Sequence, residues 1–155
     1  MKKQKKYYES GNIRFEGEYL NGEANGKGKI YYENGNIKFE GEFLKGMKHK
    51  GKLMAYYENG NIKVEIELLN GNINGKVIYY YENGKIDSEI EYLYGKVNGK
   101  VKRYHENGNI ASEFYVINVI LNGKIKEYDE NGNLIFEKEY QMKKKIEGKT
   151  VIKKV

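Results

Sequence analysis

Cysteine is missing from all 155 residues, so no disulfide, thiolate nucleophile or zinc–thiolate site is available. Proline and tryptophan are missing too. Histidine occurs only at positions 49 and 105, and aspartate only at 87 and 129. His49 falls in an expected turn between Lys48 and Lys50, Ser10 in another, and His105, Ser88 and Ser112 at expected strand positions. These positions give no Ser–His–acid or metal-ligand spacing. Long apolar runs are also lacking, because charged residues interrupt each one, which leaves no transmembrane span. The basic lead Met1–Lys6 runs into Tyr7-Tyr8-Glu9-Ser10-Gly11, where a signal peptide needs an apolar stretch, so the expected location is the cytoplasm.

What is present in excess is positive charge, and its placement matters more than its sum. The net charge is +6, yet the four lysines of residues 2–6 and the six beyond residue 142, less Glu147, leave residues 7–142 at −3. A nucleic-acid-binding protein carries its basic residues as a patch on the folded surface. Basicity confined to the two ends therefore argues against nucleic acid as a partner.

The chain is a repeat. Ser10-Gly11, Asn34-Gly35, Asn59-Gly60, Asn83-Gly84, Asn107-Gly108 and Asn131-Gly132 recur at spacings of 24, 25, 24, 24 and 24 residues, four of them inside a Tyr/His-Glu-Asn-Gly frame. Such a period marks stacked supersecondary units, and Asn-Gly between apolar runs marks a β-hairpin with a two-residue type I′ turn. That turn pairs Tyr32 with Ile37, Tyr31 with Lys38, Ile30 with Phe39, Lys29 with Glu40, Gly28 with Gly41 and Lys27 with Glu42. Longer Gly/Asn-rich connections such as Leu20–Gly26 are too short for a crossover helix, so consecutive hairpins are expected as antiparallel neighbours in one meander. The expected fold is an all-β, elongated, twisted antiparallel single-layer solenoid of about six hairpins. It forms one domain over 1–155, with a basic lead at 1–6 and a Lys-rich cap at 141–155. About thirteen strands, from Lys5–Glu9 to Lys149–Lys154, would span ~60 Å.

Alternation along each strand divides the sheet into two faces. One carries Tyr31, Lys29, Lys27, Glu40 and Glu42; the other carries Tyr32, Ile30, Ile37, Phe39 and Phe43. The glutamates recur with the strand period and face lysines, the pattern of a solvated surface rather than of catalytic carboxylates, which need a sheltered site. Neither an enzyme activity nor a cofactor is implied. Two constellations are functional candidates. The first is the row Tyr7, Tyr31, Tyr56, Tyr80, Tyr104 and Tyr128 on the charged face, which either covers the stems of neighbouring Lys and Glu or anchors a partner. The second is the apolar face, with Phe15, Tyr19, Ile30, Phe39 and Phe43 around Gly17, Gly28 and Gly41. With nothing else in the chain to cover it, this face must curl on itself, pair with a second copy or receive a partner. Its glycines either bend the sheet or open a shallow groove. One connection departs from the rest: Tyr115–Asn122 has Val119 where earlier turns have Gly, and is either a repacked turn or a contact patch.

Phe39-Glu40-Gly41-Glu42-Phe43, Phe15-Glu16-Gly17-Glu18-Tyr19 and Gly26-Lys27-Gly28 resemble the MORN (membrane occupation and recognition nexus) repeat, with its aromatic-x-Gly-x-aromatic and Gly-x-Gly elements. The Tyr-Tyr-Glu-Asn-Gly-Asn-Ile form is similar to the bacterial variant of that repeat, common in YwqK-type antitoxins. The resemblance implies a non-catalytic β-repeat that contacts proteins or, in some members, lipids. A protein partner, toxin-like or a second copy, is the first expectation; the alternatives are an anionic membrane surface and a purely structural oligomer. From the third unit onward the strand glycine is replaced by Ile66, Ile90, Phe114 and Lys138.

Overall fold

The computed structural model describes residues 1–142 and 152–154. Its strands are β1 (Lys2–Tyr7), β2 (Ile13–Leu20), β3 (Glu23–Tyr31), β4 (Ile37–Leu44), β5 (Met47–Tyr56), β6 (Ile62–Leu69), β7 (Asn72–Tyr80), β8 (Ile86–Leu93), β9 (Lys96–Tyr104), β10 (Ile110–Ile117), β11 (Ile120–Tyr128), β12 (Leu134–Met142) and β13 (Ile152–Lys154). They form one thirteen-stranded sheet in strict sequence order, every pair antiparallel, as the short connections require. Most of the Lys-rich cap expected at 141–155 lies outside the described residues.

The two kinds of turn are exchanged relative to expectation. At Asn34-Gly35 only the glycine has positive φ (91°). The Gly35 N–H donates to the Tyr32 carbonyl at 3.0 Å and the Tyr32 N–H to the Asn36 carbonyl at 2.8 Å. This is a three-residue loop, a type I turn closed by a left-handed glycine. The extra residue is absorbed at once by a bulge between Ile30 and Tyr31, so that Tyr31 faces Ile37 while Ile30 still faces Phe39. The expected pairs Tyr32–Ile37 and Tyr31–Lys38 are therefore not formed, whereas Lys29–Glu40, Gly28–Gly41 and Lys27–Glu42 are. True two-residue type I′ turns sit at the other end of each unit. Asn21-Gly22, Lys45-Gly46, Asn70-Gly71 and Tyr94-Gly95 all have positive φ at both positions. What looked like a long connection is a tight hairpin, followed by a bulge that sets Asn25-Gly26-Lys27 against Glu18 alone.

The repeated turn residues stitch each unit to the next. Tyr8 Oη donates to the Tyr31 carbonyl at 2.6 Å, Tyr57 to Tyr80 at 2.6 Å and Tyr81 to Tyr104 at 2.5 Å, with Tyr32 reaching Met54 at 3.1 Å. His105 takes the same role: its Nε2 lies 2.9 Å from the Tyr128 carbonyl, so that nitrogen carries the proton. Asn12, Asn61 and Asn109 add side-chain donors to the carbonyls of Glu33, Glu82 and Glu130. At the opposite end the N–H groups of Gly46, Gly71 and Gly95 donate to the carbonyls of Ala24, His49 and Ile73. Each bond contributes about 0.5–1.5 kcal/mol net, and their 21–23-residue reach makes the repeat period itself a stabilising quantity.

Packing on the apolar face is made by the sheet's own side chains. Phe15, Tyr19, Ala24, Phe39, Phe43 and Leu68 form one buried cluster, against which Ile30, Leu53, Ile66 and Ile73 pack. Phe39 is wholly buried, and edge-to-face contacts link Phe15 to Tyr19, Phe15 to Phe43 and Phe39 to Phe43 at 5.1–5.5 Å between ring centroids. Further along, Val77, Val101 and Val116 take over as the buried residues.

The fifth type I′ turn is the strained one. Val119 has φ +68°, a left-handed conformation held by glycine in the four earlier turns, and it is 61 % exposed. For a residue with a Cβ that conformation costs about 1–2 kcal/mol. Val119→Gly is therefore expected to raise the thermal midpoint, by about 2–4 °C per kcal/mol recovered for a chain of this length. Circular dichroism melting checks this; an unchanged or lower midpoint would contradict it.

Candidate functional site

On β2–β5 consecutive glycines come into register, Gly17 facing Gly28, Gly28 facing Gly41 and Gly41 facing Gly51, with Gln4 of β1 opposite Gly17. These glycines approach too closely for any side chain. A Cβ on Gly17 would stand 2.7 Å from the Cα of Gly28 and 2.7 Å from Cζ of Phe15, and one on Gly41 would overlap the Lys50 carbonyl oxygen and come within 2.9 Å of Cζ of Phe39. One side of the glycine row is thus occupied by the phenylalanine rings. The other side is open.

That open side is a groove of about 710 Å³. Gly17, Gly28, Gly41 and Gly51 line its floor. Its walls are Lys3, Lys5, Glu16, Glu18, Lys27, Lys29, Glu40, Glu42 and Lys50. The groove crosses the strands and lies on the charged face, because residues 16, 18, 27, 29, 40 and 42 alternate with the glycines along β2, β3 and β4. It stops at β5, beyond which Ile66 and Ile90 replace the strand glycine.

This placement corrects the expected apolar groove. Phe15, Tyr19, Phe39 and Phe43 are the buried core, and Ile30 packs against it, so none of the five walls an open apolar surface. Of the expected set, Gly17, Gly28 and Gly41 do line a groove, but one that opens on the Lys/Glu side. Over these strands the aromatic side chains bury one another. Sequence reasoning named none of the charged wall residues as site residues, and it missed Gly51. The signal was there in the run Glu-Gly-Glu at 16–18, Lys-Gly-Lys at 27–29, Glu-Gly-Glu at 40–42 and Lys-Gly-Lys at 50–52.

The tyrosine row is largely engaged within the sheet. Tyr31 Oη donates to Glu16 Oε1 at 2.6 Å, Tyr80 to Glu65 at 3.3 Å and Tyr128 to Glu113 at 3.3 Å, while Tyr56 donates to the Ile37 carbonyl at 3.0 Å. Each acceptor glutamate is also paired with a lysine on the strand before it: Lys5–Glu16 at 3.7 Å, Lys52–Glu65 at 3.2 Å and Lys100–Glu113 at 2.8 Å. Tyr104 is half-buried, and Tyr7 is 55 % exposed.

Protonation states follow from these contacts. Burial, reinforced by the Glu16 hydrogen bond, pushes the Tyr31 phenol up to about 12. The same hydrogen bond, helped by Lys5, holds the Glu16 carboxyl below the usual carboxylate range. Lys100 does likewise for Glu113, with Tyr128 adding to it. Burial raises Tyr56, Tyr80 and Tyr104 as well. All these shifts keep the ordinary charge states near neutrality, phenols neutral and carboxylates ionised, the arrangement of a structural grid.

Comparison with known families agrees with the geometry. The MORN repeat model matches residues 15–37 and 39–49, and the MORN repeat variant model matches 2–21, 50–70, 73–94, 97–118 and 121–142. The chain belongs to the MORN repeat family. Gly17, Gly28 and Gly41 of the groove floor fall within the MORN matches, and Gly51 falls within the variant match that follows. No curated protein matches the chain.

Gly41→Ala should destabilise the protein by roughly 1–3 kcal/mol, the usual cost of forcing extra volume into a packed site, read as a lower urea midpoint. An unchanged midpoint would mean that the strands are not in the close contact described. A second expectation concerns pH. The Tyr31 phenol loses its proton at about 12 when folded and at about 10 when unfolded. Its contribution is thus fully present below pH ~10 and is lost as pH rises towards ~12. In an ultraviolet phenolate titration, Tyr31→Phe should remove one late-titrating group; an unaltered high-pH limb would contradict the Tyr31–Glu16 bond.

Proposed function

We propose that this MORN repeat chain is a non-catalytic scaffold that holds a segment of a protein partner in the glycine-floored groove across β1–β5. In this reading it serves in the cytoplasm as the antitoxin of a toxin–antitoxin pair. The observation that supports this reading is the position of the groove. There the glycine row lies between two walls of charged side chains suited to recognition. The antitoxin assignment rests on the likeness of the Tyr-Tyr-Glu-Asn-Gly-Asn-Ile units to the bacterial variant of the repeat.

Binding to a membrane surface needs an apolar contact besides lysines, since exposed charges alone supply about 1 kcal/mol each at an anionic leaflet. The four large aromatic groups best placed to supply that contact are buried, which favours the protein partner.

The test is affinity capture from the native organism with wild-type protein and with the double variant Lys27→Glu/Lys50→Glu, which reverses two exposed groove charges without touching the core. The expected result is a stoichiometric protein held by the wild type and lost by the variant. Equal capture by both, or none by the wild type, would overturn the groove reading; a captured partner without toxicity when expressed alone would overturn the antitoxin assignment only.

A further inference from the structure

The two walls of the groove differ in electrostatic state. Along one wall Lys5 is paired with Glu16 at 3.7 Å and Lys29 with Glu40 at 2.9 Å. Along the other, Lys3 faces Glu18, and Lys27 and Lys50 both face Glu42 in register. Yet none of these five enters an ion pair among the described residues. Glu18 is drawn aside: its Oε2 accepts the Lys27 backbone N–H at 2.8 Å and fills the place where Gly26 would carry a Cβ. What remains is a row of three exposed lysines, Lys3, Lys27 and Lys50, interrupted by Glu42.

The spacing of that row selects a ligand conformation. The lysines stand on every second strand, hence ~9.6 Å apart. The walls arise from residues two apart on each strand, ~6.7 Å, too narrow for an α-helix of ~10–12 Å diameter and wide enough for one extended chain. A β-strand repeats on one side every ~6.7 Å. A polyproline II chain repeats every third residue, at ~9.3 Å. Only the last keeps step with three lysines while placing uncharged residues beside Glu42.

Resting on the groove reading above, we propose that the occupant is an acidic polyproline II segment with a carboxylate at every third position. The carboxylates meet Lys3, Lys27 and Lys50, and the intervening residues lie on the glycine floor.

The probes are three synthetic peptides: Glu-Pro-Pro-Glu-Pro-Pro-Glu, the same composition reordered as Glu-Glu-Glu-Pro-Pro-Pro-Pro, and the lysine counterpart of the first. Each is titrated into the full chain while the amide resonances of Gly17, Gly28, Gly41 and Gly51 are followed. The periodic acidic peptide is expected to shift these amides, to weaken as salt is raised, and to bind about five- to tenfold more tightly than the reordered one, the worth of two exposed ion pairs. Lys27→Glu/Lys50→Glu should abolish its binding while leaving the thermal midpoint near that of the wild type. Equal affinity for the two acidic peptides would overturn the three-residue period. Tighter binding of the lysine peptide at the same glycines would overturn the acidic assignment and leave the groove reading standing. Glycine amides unmoved by all three would overturn both.

Discussion

An aromatic ring lying where a glycine has no side chain is the contact on which the first half of this sheet depends. Phe15 and Tyr19 meet at 5.5 Å and Phe39 and Phe43 at 5.1 Å, each pair flanking a glycine along one strand, and Phe15 and Phe43 both reach the place a Cβ on Gly28 would take. Burying four aromatic side chains is worth about 1.5–3 kcal/mol each, with about 0.5–1.5 more for each favourable ring pair. Exposed Lys–Glu pairs contribute about 0–1 kcal/mol. The rings therefore dominate, and the charged grid decorates a sheet that they hold. The glycines that admit the rings on one side form the groove floor on the other, so core and groove share one row of residues.

A second, distributed interaction makes the array continuous. The turn tyrosines and asparagines reach carbonyls in the following unit, and the type I′ turns reach back to the preceding one. The donor position of this ladder accepts a change of chemistry, since His105 serves where other units have tyrosine. Asp129 stands at the corresponding place in the last hairpin and turns its carboxylate onto its own loop, accepting from the Asn131 and Asn133 N–H groups. The later units, matched by the variant model, fill the strand positions with Ile66, Ile90 and Phe114 and retain the ladder without the groove. Stability is thus spread along the chain while the open surface is local.

Much of the architecture was legible because it depends on period and alternation. The spacing of the Asn-Gly centres places every hairpin, and the matched pairs Gly28–Gly41, Leu53–Ile66 and Val77–Ile90 fix the register. The turn types were not legible. A two-residue loop and a three-residue loop with a bulge give the same pairing from Ile30–Phe39 onward, so only the backbone distinguishes them. The face on which the groove opens was not legible for a related reason. Alternation assigns Phe15, Gly17 and Tyr19 to one side, but whether rings i and i+4 close over the glycine or stand apart depends on how nearly strands approach, which no one-dimensional pattern contains. The Glu-Gly-Glu and Lys-Gly-Lys run did mark the groove, and its meaning emerges once the rings are known to occupy the opposite side.

Ring contacts of this kind are directly observable in solution. Nuclear Overhauser measurements on the full chain should show the Phe15 and Phe39 ring tips in contact with the α protons of Gly17, Gly28 and Gly41, with those protons displaced upfield by the ring currents. Glycine α protons at ordinary sheet positions with no contact to either ring would mean that the aromatics do not close over the glycine row, and the joint origin of core and groove would fall with them.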